Sequence, residues 1–258
     1  MKVKDKVCVV TGAAGGIGEA VARRYAKEGA KGVVVADRDA DRLRVVADDI
    51  RGLAVACDVA READIQQLVA EAERRFGPVD VFFSNAGITG PSGGPEVLDA
   101  DWDLLWRVNT MSHVWAARAL LPGMLERGEG YLLSTASAAG LLAQLGAMGY
   151  TVTKHAAVAV AEWLAMTYGD RGIRVSCLCP QYVRTPMVTD GELPVEKLEA
   201  VATILEPEQV ADAVVEAMRE ERFLILPHPE VGTYMSQRGG DHERWLRGMR
   251  RLQGHLGV

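Results

Sequence analysis

Apolar positions along this chain fall into two alternating registers. Short, nearly continuous apolar runs occupy Val7–Val10, Val33–Ala36, Leu53–Ala56, Val81–Phe83, Tyr131–Leu133, Val175–Leu178 and Phe223–Leu226. Runs of this length, rich in branched residues and lacking polar alternation, suit strands buried on both faces of a parallel sheet. Between them the apolar spacing changes to that of a helix, as in Ile17, Val21, Ala22, Tyr25, Ala26 and again in Ile65, Leu68, Val69, Ala72, Phe76. Strand and helix alternating to the end of the chain predict an α/β fold, a doubly wound sheet flanked by helices. A long helix is expected from Asp101 to Leu125 and another from Tyr150 to Tyr168. No Pro/Ser-rich linker divides the chain, so residues 1–258 read as one domain. Within it, about 181–205 is the expected substrate loop or lid and 227–258 a C-terminal tail.

Composition narrows the function without naming it. The chain has 258 residues, 48% of them hydrophobic and 25% charged, enough to bury a full core. A net charge of −6 opposes a nucleic-acid or anionic-membrane partner. Arg244, Arg247, Arg250 and Arg251 are the local exception, read as a basic amphipathic helix that packs on its own or a neighbouring subunit. No apolar run is long enough to span a membrane, and Met1–Lys6 is a polar lead rather than a secretory signal. Cys8, Cys57, Cys177 and Cys179 lie in or at the ends of apolar strand-like runs. The expectation is reduced, buried thiols, no metal site and a cytoplasmic setting.

The candidate chemistry lies where strands end. After the first strand, Thr11, Gly12, Gly15, Gly16, Ile17 and Gly18 form a glycine-rich turn opening a helix, a place where backbone can approach a pyrophosphate. Asp37 closes the second strand near the spacing expected of a ribose-binding acid. Its charge would repel a 2′-phosphate and so favours NAD over NADP, although Arg38 partly offsets that repulsion. Asp58 and Val59, after the third strand, fit an adenine contact, but Asp58 equally fits the cap of a helix beginning near Arg61. Asn85, Ala86 and Gly87 after the fourth strand let backbone approach a flat ligand, and a Gly/Pro loop follows at Ile88–Pro95. Asn109 stands in the middle of an apolar helix, where asparagine marks a local break or a water site.

Ser137, Tyr150 and Lys154 carry the most chemistry. Tyr150 and Lys154, four apart, share a helix face. A unit charge about 4 Å from the phenol, at an effective dielectric of ~20, supplies roughly 4 kcal/mol, enough to draw tyrosine from ~10 toward neutrality. There it serves as an acid or base. Ser137 ends a strand and can set its hydroxyl beside the phenol. After the sixth strand, Pro180, Val183 and Thr185 reach the same edge, with Thr185 placed to meet a nicotinamide amide. Val188–Val201 reads as a mobile lid.

Together these motifs resemble the short-chain dehydrogenase/reductase superfamily, in its order and spacing and over nearly the whole chain. The resemblance implies a sheet of about seven parallel strands and a catalytic tetrad of Asn109, Ser137, Tyr150 and Lys154. Tyr150 would exchange a proton with the substrate hydroxyl, and Ser137 would bond the substrate oxygen. Lys154 would hold the nicotinamide ribose and depress the phenol pKa, while Asn109 would hold a water linking Lys154 to solvent. The expected substrate is an apolar secondary alcohol or its ketone, with Trp102, Trp106, Tyr182 and Met187 near the pocket. A homodimer or homotetramer is implied, built on the apolar faces of the two long helices. Two positions depart from the family pattern: Gln181 replaces a glycine, and Gly15 replaces a basic residue common in NADP-preferring relatives. The alternatives are a 3-oxoacyl thioester reductase using NADPH and a non-catalytic NAD-binding regulator.

Overall fold

The structure, a computed structural model, describes residues 1–190 and 202–256. Seven parallel strands stand in the order β3-β2-β1-β4-β5-β6-β7. They are β1 Val7–Thr11, β2 Gly32–Asp37, β3 Leu53–Ala56, β4 Val81–Ser84, β5 Gly130–Thr135, β6 Ile173–Leu178 and β7 Leu224–Ile225. Every apolar run read from the sequence forms a strand, within one or two residues at its ends. β1 pairs with both β2 and β4, so the strand order reverses there. That reversal opens a crevice at the carboxyl ends of β1 and β4, where doubly wound sheets bind ligands.

The pleat explains how one apolar run serves two cores. Val7 and Val9 point to one face and Cys8 and Val10 to the other. On the first face pack α3 (Glu62–Phe76), α5 (Ser112–Arg127) and α6 (Met148–Tyr168). On the second pack α1 (Gly16–Lys27), α2 (Ala40–Ile50) and α8 (Pro207–Glu220). Burial of a branched side chain on both sides is worth roughly 1.5–3 kcal/mol per residue, which is why the polar alternation of a one-sided sheet is missing. Cys8, Cys57, Cys177 and Cys179 are all free and buried.

The helix expected from Asp101 to Leu125 is interrupted. α4 covers Asp99–Trp106, a π-helical turn covers Arg107–Met111, and α5 continues from Ser112. Asn109 sits in that turn, so the mid-helix asparagine does mark a local break. After β6 come the short α7 (Pro186–Thr189), α8 and β7, then α9 (Glu230–Gly240) and α10 (His242–Leu256) in the tail. Most of the expected lid, 191–201, lies outside the described residues. Among those described, no helix is long and apolar enough to cross a membrane.

Candidate active site

A cavity of about 410 Å³ runs along the carboxyl edge of the sheet. Asp37, Arg38, Asp58 and Val59 line it beside β2 and β3, and Gly12, Gly16, Ile17, Asn85, Ala86 and Gly87 line its middle. Ser137, Tyr150, Lys154, Pro180, Val183 and Thr185 line it beside β5 and β6. The sheet order alone brings these distant segments onto one edge. Gly18 and Asn109 stand behind the lining rather than in it.

The middle of the cavity is made of backbone. A Cβ on Gly12 would lie 2.8 Å from the Ala86 Cα, and one on Gly18 2.1 Å from the Gly12 oxygen. Gly16 has φ +55, and its Cβ would meet Thr185 at 2.8 Å. Side chains are excluded here, leaving the start of α1 bare for an anionic group. Thr11 fixes the opposite wall: its hydroxyl accepts from Asn85 N at 3.0 Å and Ala86 N at 3.1 Å. The Asn85 amide is committed to the fold, donating to Thr11 O at 3.1 Å and accepting from the Thr135 hydroxyl at 3.0 Å.

At the β2 end, the Asp37 carboxylate accepts from Arg38 N at 2.7 Å, Asp39 N at 3.2 Å and Ala14 N at 3.2 Å. It stays on the cavity wall. Arg42, from α2, lies across Gly15: a Cβ there would be 3.3 Å from its guanidinium. The basic group absent at position 15 is thus supplied from the next helix. Asp58 accepts from Ala60 N at 3.0 Å in a turn, whereas α3 is preceded by Arg61 with no side-chain cap. Of the two readings of Asp58, the helix cap is not the one observed.

Polar side chains dominate the β5 end. Lys154 is 2% exposed, and its Nζ donates to Thr135 O at 3.0 Å and lies 5.7 Å from the Tyr150 ring centre. Burial holds its pKa down to about 8. Burial also raises the Tyr150 phenol above its ordinary value, opposed by a hydrogen bond from Ser137. This is opposite to the expected direction: desolvation is the largest cause, and the Lys154 ammonium spends one of its hydrogen bonds on Thr135 O. Gly87 keeps the space open, since a Cβ on it would stand 3.1 Å from Lys154 Nζ and 3.2 Å from Asn109 Oδ1. Asn109 accepts from Ile88 N at 3.0 Å and donates to Ile88 O at 2.9 Å and the Thr153 hydroxyl at 3.2 Å. Its side chain therefore clamps the loop after β4 onto α6, with both amide protons spent in doing so.

The substrate side departs from expectation in two more places. Leu104, Val108, Ile88 and Met187 line the cavity, whereas Trp102, Trp106 and Tyr182 do not, and Trp106 is 43% exposed. Leu104 of α4 reaches the cavity wall in their place, while itself 44% exposed. Gln181 needs no left-handed backbone. Its N–H donates at 3.2 Å to Nδ1 of His228, a buried residue of the tail that the sequence reading passed over. Arg42, Thr135, Thr153 and His113 were missed as well, and Thr11 was read only as the first residue of the glycine-rich turn. Thr11 and Thr135 had a positional signal, as hydroxyls closing apolar strands.

The family model for short chain dehydrogenases matches residues 6–193. The chain belongs to the short-chain dehydrogenase/reductase family. It is 38% identical over 239 residues to 1-deoxy-11-beta-hydroxypentalenate dehydrogenase of Streptomyces exfoliatus, covering 90% of this chain and 86% of that one. It is 30% identical over 245 residues to cyclohexanol dehydrogenase of an Acinetobacter species, covering 92% and 97%. A solved short-chain dehydrogenase/reductase from Burkholderia phymatum, in complex with NAD, superposes with a TM-score of 0.86 at 31% identity, covering 94% and 96%. This dehydrogenase is therefore an oxidoreductase acting on hydroxyl groups, of a family that uses NAD or NADP. The bare glycine cradle, an acid at the end of β2 and a buried lysine beyond it fit such a dinucleotide.

Proposed function

We propose that this dehydrogenase interconverts an apolar secondary alcohol and its ketone with NAD, using Tyr150 as the acid/base. The observation that carries the proposal is the continuity of one cavity from Asp37 through the glycine cradle to Ser137, Tyr150 and Lys154. NAD, when bound, supplies the hydride acceptor. Asp37 and the backbone of Gly12, Gly16 and Ile17 would hold its adenosine and pyrophosphate, and Lys154, Val183 and Thr185 its nicotinamide end. With the cationic nicotinamide beside it to offset the burial, Tyr150 as phenolate would take the substrate hydroxyl proton while Ser137 bonds the same oxygen. Reduction runs the path in reverse. Asn109 acts by holding Ile88 and Thr153 in place. The relatives named for cyclohexanol and 1-deoxy-11-beta-hydroxypentalenate support a hydroxyl-bearing substrate, and Ile88, Leu104, Val108 and Met187 an apolar one.

A 3-oxoacyl thioester reductase is the second reading. A 3-ketoacyl-(acyl-carrier-protein) reductase from Brucella melitensis, complexed with NADH, superposes with a TM-score of 0.81 at 31% identity. Its cofactor removes Asp37 as an argument against this reading. Initial rates with NAD and NADP over a panel of cyclic and secondary alcohols, and with NADH over ketones and a 3-oxoacyl thioester, decide between them. Turnover of alcohols lost in Tyr150→Phe supports the first reading. Turnover confined to the thioester supports the second, and turnover unchanged in Tyr150→Phe overturns both.

The same reading includes a cytoplasmic dimer or tetramer. An apolar groove between α5 and α6 is lined by Val114, Leu121, Val160, Trp163 and Leu164, with Trp163 56% exposed and the nearby Met166 77%. A second copy covering that face would remove both side chains from water. A monomeric mass by light scattering at working concentration sinks this part.

A further inference from the structure

The peptide joining Pro180 to Gln181 lines the cavity in company with Ser137 and Tyr150, and it is gripped from both sides. Its carbonyl accepts from Ala138 N at 2.8 Å, one residue past Ser137. Its N–H donates at 3.2 Å to Nδ1 of His228. The two groups belong to one planar unit, trans like every peptide described, so they point in opposite directions. One bond faces the turn that carries Ser137 and the other faces the tail. Together they fix the tilt of a plane that neither fixes alone.

Local sequence explains why His228 can hold its side of this plane. It stands between Pro227 and Pro229, just past the point where β7 pairs with β6. Proline fixes its own φ and restricts the residue before it, so little backbone freedom is left at His228. The residue is 1% exposed. Because Nδ1 accepts, the neutral ring carries its proton on Nε2, which has no partner among the described residues. The bond to Gln181 is thus the one hydrogen bond this side chain makes among them. The tail does not need that bond to stay docked. Val231 is fully buried in the core, and Arg238 donates to Leu141 O and, at 3.3 Å, to Nε2 of His155.

We propose that His228 is a positioning residue for the nicotinamide end of the cofactor, holding the peptide between Pro180 and Gln181 in the plane that faces it. Through this bond the tail shapes a cavity that none of its own residues lines. Without an acceptor at Nδ1, the Gln181 N–H would be left unpaired behind the wall, and the peptide would turn about its remaining bond to Ala138 to find a partner. That turn alters the wall beside Ser137 and leaves the glycine cradle at β1 as it was. The proposal rests on the reading that the nicotinamide lies against Lys154, Val183 and Thr185.

Two measurements on the full chain, neither needing a substrate, test it. Hydrogen exchange at the Gln181 amide is followed by NMR in wild type, His228→Leu and His228→Asn. Exchange should quicken about a hundredfold in His228→Leu and return toward wild type in His228→Asn, whose side-chain oxygen stands in for Nδ1. The same three proteins are then titrated with NADH and with ADP-ribose, which shares the adenosine and pyrophosphate but lacks the nicotinamide. His228→Leu should bind NADH about tenfold more weakly and ADP-ribose within about twofold of wild type, with NADH affinity recovered in His228→Asn. Unchanged NADH affinity in His228→Leu, an equal loss for both ligands, or a His228→Asn that behaves like His228→Leu overturns the proposal and leaves His228 as packing. If His228→Leu fails to fold, His228→Met takes its place in both measurements. Failure of the underlying reading shows separately, in wild type alone, as NADH bound no more tightly than ADP-ribose, and that result overturns the proposal with it.

Discussion

The two ends of the cavity are built in opposite ways. Beside β1 and β2 the wall is backbone, with side chains removed by steric demand at Gly12 and Gly18. Beside β5 and α6 the wall is buried polar side chain, Lys154 and Thr135, with Thr153, Asn109 and His113 buried outside the lining. The first end recognises charge with fixed dipoles, which need only bare N–H groups and geometry. The second must move a proton, which needs titratable groups, and burial displaces their pKa values while every remaining lone pair must be satisfied. Substitutions at the first end should therefore act through shape, and those at the second through charge and protonation.

Gly18→Val tests shape most severely. Its Cβ would enter the Gly12 carbonyl at 2.1 Å, so the expected cost is about 5 kcal/mol or failure to fold, read from thermal melts and NADH binding. Retention of both would mean the turn is more plastic than its geometry. Tyr150→Phe comes next, with kcat lowered about 10³-fold, equivalent to about 4 kcal/mol, while the melt and NADH affinity hold.

Lys154→Met separates stability from activity at the charged end. The folded pKa of about 8 lies below a lysine's ordinary value of 10.5, so between those pH values the unfolded chain binds more protons. Wild-type stability from this group therefore rises as pH climbs from about 8 to 10.5 and is at its lowest below 8. Activity should be lost in Lys154→Met, yet at pH 7 the variant should be more stable by about 2 kcal/mol, after allowing for the unpaired Thr135 carbonyl. The gain should fade toward pH 10.5. A gap that is constant with pH would show that the ammonium is not strained by burial.

The adenosine end calls for finer measurements. Asp37→Asn should reduce discrimination against NADP by about tenfold, through loss of repulsion, and fluorescence titration with NADH and NADPH reads it directly. Arg42→Ala should weaken NADPH by several-fold, about 1 kcal/mol, and NADH by less. Equal losses for both nucleotides would place Arg42 over the pyrophosphate instead.

Much of this was legible along the chain. The strands declared themselves because burial on both faces leaves continuous apolar runs, and the cavity's backbone end because glycine is needed where a Cβ meets another backbone. The break at Arg107–Met111 left only Asn109 as a signal. No proline or glycine marks it, and it is held by contacts from Ile88 and Thr153, 21 and 44 residues away in sequence. Trp106 read as lying near the pocket, yet it ends α4 just before the π-helical turn and stands exposed. His113 read as nothing at all, since one histidine in an apolar helix carries no pattern.

By itself, the sequence determined which residues form strands, where the chain turns with bare backbone, and which reactive groups stand at strand ends. Those are consequences of local pattern and of side-chain volume. Only the tertiary structure decided the protonation balance at Tyr150 and Lys154 and the role of the Asn109 amide. Desolvation and hydrogen-bond partners belong to the assembled interior, where segments far apart in the chain exclude water from one another.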